Sequence, residues 1–430
     1  MRAGKSLRKM LVVAIAAGTF AMMPLVSAEV REYEGFGEYV MSDFETPDVA
    51  KQRAKARAEQ NAMEQAGVYV ESYTKVINHQ VTHDEIVTMT NGILKVKDVQ
   101  YGKMTPTEDG KGILIRVTIK ADIDTDDIKK WLSQNTQNVN ELIAQNKELQ
   151  KVKEEQDKKI EALQKQVANV KTIQDKSVIQ EKFIVADQEF LSNQKTEEGV
   201  RLISNGDYAD AIVALSHAVE INSHNATAYS FLGICYANFK AFEKSIENCN
   251  KGIKLEPNKA IGYYCRGRSY LLFQNYSDAI VDLTKAIELE SDASLFTLRG
   301  LANLMNKDDQ RALADFTKAI ELDSKNMYAY MLRGDLYVFL NEEALAFSDL
   351  TKAIELGCRV ARVYWRRSLI YYSLGDYENM IVDCTKAIEL DPKDGTPFIL
   401  RGNAYQKMGN NVKANADFAR AKELGYKPNK

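Results

Sequence analysis

The phrase TKAIEL occurs at Thr284–Leu289, Thr317–Leu322, Thr351–Leu356 and Thr385–Leu390. Aligned on its small residue, the chain shows Ala218, Gly252, Ala286, Ala319, Ala353, Ala387 and Ala421, spaced by 33 or 34 residues. Nineteen residues before each stands Gly199, Gly233, Gly267, Gly300, Gly334, Ser368 or Gly402. Aromatic residues lie four before most of these (Tyr229, Tyr263, Phe296, Tyr330, Tyr364, Phe398) and three after (Tyr236, Tyr270, Tyr337, Tyr371, Tyr405). Spacings of three, four and seven are helical, not strand-like. Bulky rings on one helix and small residues on both describe two antiparallel helices in close contact. Such a pair cannot bury its apolar face alone, so each unit stacks on the next, and the repeated phrase reads as scaffold.

This pattern resembles the tetratricopeptide repeat family, with its 34-residue period and its aromatic, Gly, Tyr, Ala and Pro positions. The resemblance covers seven units over residues 192–428, and implies an α-solenoid of helix-turn-helix units. The family's closing proline appears only as Pro257 and Pro392, and the first unit has Lys195 in place of its leading aromatic. Arg266, Arg299, Arg333, Arg367 and Arg401 recur where the family often has leucine. They are expected to pair with acidic groups of neighbouring helices.

The resemblance also implies a concave surface, lined from the first helix of each unit. Tyr264, Arg268, Leu301, Met331, Asp335, Trp365, Leu369 and Tyr372 fall there and form the candidate groove for a protein or peptide partner. Trp365 and Tyr264 are the expected exposed anchors, since aromatic side chains among polar groups fit binding hot spots. Packing of some of these side chains against the following unit is the competing reading. The Lys and Asn pattern by which some family members hold a terminal carboxylate is absent at these positions.

Upstream, residues 133–191 form a Gln-, Lys- and Glu-rich tract without glycine or proline. Its seam runs Val139, Leu142, Asn146, Leu149, Lys153, Gln156, Ile160, Leu163, Val167 and Val170, a short coiled coil suited to a homo-oligomer. A lone solvated helix joining two domains is the alternative. Residues 29–132 read as a small α+β domain. A first strand lies at GEYVMSD, and a helix over residues 47–66 carries Ala50, Ala54, Ala58, Ala62 and Ala66, ending at Gly67. Strands are expected over 68–81, 93–104 and 112–123, with a short helix over 84–91 and a hairpin turn at residues 108–110. The Ala-rich helix followed by GVYVES, NGILK and ILIRVTIKADI resembles the N-terminal domain of flagellar assembly protein T and related exported bacterial lipoproteins.

Residues 1–28 place Arg2, Lys5, Arg8 and Lys9 before an apolar run and end in Val-Ser-Ala, as a cleaved signal peptide does; a retained anchor is the alternative. Their removal takes away four basic groups and no acidic ones, moving the formal charge from -3 to -7. No integral membrane segment would then be left. A mildly acidic chain disfavours nucleic acid. The expected location is the periplasm or cell envelope.

The expected function is that of a non-enzymatic scaffold or adaptor. A structural component docked in an envelope machine through the α+β domain, with the repeats as spacer, is the second reading. No cofactor is implied. The sequence has no nucleophile elbow, phosphate-cradling glycine loop or HExxH. His79 and His83 lack a third ligand. Cys235, Cys249, Cys265, Cys358 and Cys384 are odd in number and irregularly spaced, which fits buried thiols or a single disulfide better than a disulfide framework.

Overall fold

A computed structural model describes residues 29–76, 81, 83–108, 110, 112–135, 139–167 and 173–426. Residues 1–28, with the expected signal peptide, and His79, Asp109 and Pro428 lie outside them.

The α+β domain is an antiparallel sheet under a long helix. Strand β1 (Val30–Met41) pairs along its whole length with β4 (Ile113–Asp124), and β2 (Lys95–Tyr101) pairs with the other edge of β4. The short β3 (Thr105–Pro106) also pairs with β4. Alternate residues of β1, among them Gly35, Gly37 and Tyr39, face helix α1 (Pro47–Val76) and are buried. Ala50, Ala54, Ala58, Ala62 and Ala66 of α1 are fully buried on them. A Cβ at Gly35 or Gly37 would overlap the carbonyl oxygens of Ala58 or Ala54, so two glycines and an alanine ridge set how closely helix and strand approach.

Helix α1 does not stop at Gly67. Ala66, Val70, Tyr73 and Thr74 are buried at helical spacing, so residues 68–76 continue the helix in place of the expected strand. Gly67 itself lies in ordinary contact range of Ile86 and Thr90 on α2 (His83–Ile93). Helix α3 (Thr125–Asn135) closes this core with Ile128, Trp131 and Leu132.

The free edge of β1 is covered by side chains of α1. The Phe36 N–H donates to Asn61 Oδ1 at 3.2 Å. Arg57 and Gln65 donate to the carbonyls of Glu38 and Glu34, each at 2.9 Å. These groups would otherwise be open to another strand.

Helices α4 (Val139–Val167) and α5 (Ile173–Ser204) fold back on each other, joined by Lys159–Glu189 at 2.6 Å and Lys153–Glu197 at 3.8 Å. Leu149, Ile160 and Leu163 of the expected seam are buried inside this chain. The side chains of Val139, Leu142 and Val170 lie outside the described residues. The last third of α5 is also the first helix of repeat unit 1, completed by α6 (Tyr208–Ile221).

Six further helix pairs follow: α7 (Ala226–Asn238) with α8 (Phe242–Leu255), α9 (Ala260–Leu272) with α10 (Tyr276–Leu289), α11 (Ala293–Met305) with α12 (Asp309–Leu322), α13 (Met327–Phe339) with α14 (Glu343–Glu355), α15 (Ala361–Ser373) with α16 (Tyr377–Leu390), and α17 (Thr396–Lys407) with α18 (Asn411–Glu423). The chain is thus a mainly helical solenoid with a small sheet at its N-terminal side.

In five units the glycine of the first helix faces a leucine or phenylalanine of the second, in unit 2 Gly233 faces Cys249, and unit 6 has Ser368 there. A Cβ at Gly300 would lie 2.6 Å from the Phe316 ring, and one at Gly402 would lie 2.5 Å from Phe418. The turn between the two helices needs a left-handed residue. Gly206, Gly375 and Gly409 supply it in three units, whereas Lys240, Gln274, Lys307 and Asn341 adopt φ of 58–65° in the others.

Candidate functional site: the inner face of the solenoid

The recurring arginines are structural. Arg333 donates through Nε and Nη2 to Asp349 at 2.7 and 3.0 Å, and through Nη1 to the Thr317 hydroxyl at 2.9 Å. Arg299, Arg367 and Arg401 repeat this with Asp315, Asp383 and Asp417, and with Thr284, Thr351 and Thr385. Arg266 does the same with Asp282, and Asn250 stands in for threonine. Each guanidinium therefore joins both helices of its own unit to the last helix of the unit before. The threonine of TKAIEL is its acceptor there, the alanine is fully buried, and Lys and Glu pair on the surface at 2.9–3.3 Å. Bonding to Asp282 raises the pKa of Arg266 above its usual value.

The eight groove residues lie on the first helices of units 3 to 6, but not all are accessible. Tyr264 and Met331 are 4% and 6% exposed, so Tyr264 is core, not an exposed anchor. Leu149 of α4 belongs to the same buried cluster as Tyr264 and Leu295. Helix α4 crosses successive inter-unit loops here, through Glu155 with Lys259 at 3.9 Å and Lys151 with Glu290. Lys147, one turn further back, pairs with Asp84 of the α+β domain at 2.9 Å. Helix α4 thus lies along this side of the solenoid, a neighbour that repeat-by-repeat reading does not show.

Arg268, Leu301 and Trp365 are half-buried, while Leu369 and Tyr372 are 36% and 39% exposed. Trp365, Leu369 and Tyr372 share one face of α15 at helical spacing. The Arg366 guanidinium lies 5.2 Å from the Trp365 ring centre, and the Tyr372 ring meets Tyr377 edge-on at 5.9 Å. From α13, Asp335 reaches Arg362 Nε at 2.8 Å and Arg366 Nε at 3.1 Å. Repeat-by-repeat reading missed Arg362 and Arg366; three arginines within six residues, in RVYWRR at Arg362, Arg366 and Arg367, were the available signal. Burial raises the Asp335 pKa, opposed by these two arginines. Leu272, Met305 and Phe339, at the ends of the first helices, are 49%, 49% and 73% exposed.

A cleft of about 320 Å³ lies between α1, α2, α4 and α5. Its charges pair within its own walls, as Lys55–Glu59 at 3.2 Å, Lys153–Glu197 at 3.8 Å and Lys195–Glu198 at 2.7 Å. It is a seam between parts of the molecule. Among the described residues no cluster of His, Cys, Asp or Glu could hold a metal, and no helix is long and apolar enough to cross a membrane. All five cysteines are buried, and none is joined in a disulfide. Burial pushes the thiols of Cys235, Cys249 and Cys384 up to about 12, which leaves them unreactive small apolar groups.

Models of the tetratricopeptide repeat family match residues 196–260, 264–326 and 361–394. The chain therefore carries tetratricopeptide repeats, which generally mediate binding of proteins and peptides. No curated protein matches it. Among solved structures it is similar to Pseudomonas aeruginosa pilF, at 18% identity and a TM-score of 0.44, over 52% of this chain and 98% of that one. A tetratricopeptide repeat protein from Parabacteroides merdae gives 17% and 0.40, over 55% and 94%. YrrB, a TPR protein with an unusual peptide-binding site, gives 20% and 0.36, over 43% and 95%.

Proposed function

We propose that this protein is a non-enzymatic scaffold of the bacterial cell envelope, which binds a protein or peptide partner on the inner face of its solenoid. The observation that carries this reading is the accessible apolar face of α15, where Leu369 and Tyr372 stand exposed beside Trp365. An isolated repeat surface in water favours polar side chains there, and an aromatic and aliphatic row flanked by charges fits a binding hot spot. The basic and apolar segment of residues 1–28 supports export.

The test is capture of crosslinked partners in cells by the full chain and by a Leu369→Ala/Tyr372→Ala variant. The variant is expected to lose the captured partners while its helical circular dichroism is unchanged. Equal capture by both would reject the groove.

A further inference from the structure

Ion pairs in the solenoid are matched one to one along the arginine ladder, but not at the junction of units 5 and 6. There Arg362 and Arg366 both point at Asp335. The Asp335 side chain is 11% exposed, while those of Arg362 and Arg366 are 44% and 27% exposed. Two cations share one buried anion, and the exposed Arg359 adds a third positive charge three residues before Arg362 in the chain. Asp335 Oδ1 and Arg366 Nε are within ion-pair distance without hydrogen-bonding geometry, so both buried atoms lack a hydrogen-bond partner. Unmade hydrogen bonds in a buried charged group favour an arrangement that satisfies them. The surplus positive charge lies against the Trp365 ring and on the same helix as Leu369 and Tyr372.

We infer that this half of the groove takes an acidic segment of a partner protein in which carboxylate side chains alternate with apolar ones. The carboxylates accept hydrogen bonds from Arg362 and Arg366, whose planar forks suit them. The apolar side chains lie on Trp365, Leu369 and Tyr372. In an extended segment successive side chains point to opposite sides, so alternation lets one strand of chain meet the charged and the apolar walls together. The inference rests on the groove reading above and adds the chemistry of the partner. Because the chain as a whole is acidic, the attraction is local and fades as salt screens it.

The test measures fluorescence anisotropy of labelled short peptides with the full chain. The probes are an alternating Asp/Leu peptide, its Asn/Leu counterpart and its Asp/Gly counterpart. The Asp/Leu peptide is expected to bind, with the other two about tenfold weaker or worse. Arg362→Gln, which leaves Arg366 to neutralise Asp335, is expected to weaken the Asp/Leu peptide about tenfold with an unchanged melting curve. Raised salt weakens it further.

Equal binding of Asn/Leu, lost in Leu369→Ala/Tyr372→Ala, would overturn the acidic partner and leave the groove standing. Equal binding of Asp/Gly would mark a general polyanion site and overturn the inference. Failure of every peptide, or binding indifferent to both sets of substitutions, would remove the inference and the groove together.

Discussion

At Arg333 a single side chain holds three helices, and the geometry sets what its loss would do. Its guanidinium is 15% exposed and its partner Asp349 is 7% exposed. Arg333→Ala leaves a buried carboxylate uncompensated and is expected to cost about 3 kcal/mol in urea unfolding. Arg333→Ala/Asp349→Ala should cost less than the two single changes summed, because neither charge is then left alone. Lys307 offers the opposite sign. It occupies a left-handed turn at φ 65°, where units 1, 6 and 7 have glycine. Lys307→Gly removes a steric cost of about 1 kcal/mol and should raise the thermal midpoint. Much at this scale was legible in the sequence, since glycine, alanine and aromatic positions act on neighbours fixed by the repeat. The burial of Tyr264 was not, because its buried cluster includes Leu149, from a helix more than a hundred positions earlier.

Among the elements, β1 is the one with most to lose. It is twelve residues long at the edge of a sheet, and Asn61, Arg57 and Gln65 close its backbone groups. Asn61→Ala/Arg57→Ala/Gln65→Ala should leave the sheet intact but produce concentration-dependent association by light scattering, which the parent lacks under matched conditions. The alanine ridge of α1 was readable from fourth-place spacing alone. Its length was not, because a glycine reads locally as a stop and only the contact with α2 shows that the helix runs on. The heptad seam of α4 likewise announced an apolar partner without saying which helix it was. The described residues answer with α5, as Leu149, Ile160 and Leu163 are buried in the chain's own folding.

Over the whole molecule, the join between the α+β domain and the solenoid is a buried ionic cluster. Arg53 of α1 donates to Asp187 of α5 at 3.0 Å, to Glu45, and to the Tyr39 hydroxyl at 3.0 Å, which also accepts from Gln164 of α4 at 3.1 Å. Burial pushes Asp187 from 3.8 up to about 6, against the pull of Arg53 and with the push of Glu45. The folded chain therefore holds this proton through a pH range in which the unfolded chain has released it. Stability from this group falls as pH rises from about 4 to about 6 and is level above. Asp187→Asn removes that slope, so its unfolding free energy minus that of the parent should grow through the window and then plateau. A flat difference across the range would show that Asp187 titrates as an exposed carboxylate.

The sharing of α5 between the helical hairpin and the first repeat has a mechanical consequence. At ~1.5 Å per residue its 32 residues make a rod of ~48 Å. Asp187, near its middle, is clamped to Arg53, and its C-terminal third is threaded into the array. A cargo that flexes the array would swing that shaft, and through Asp187 and Arg53 the sheet would register the load at a distance.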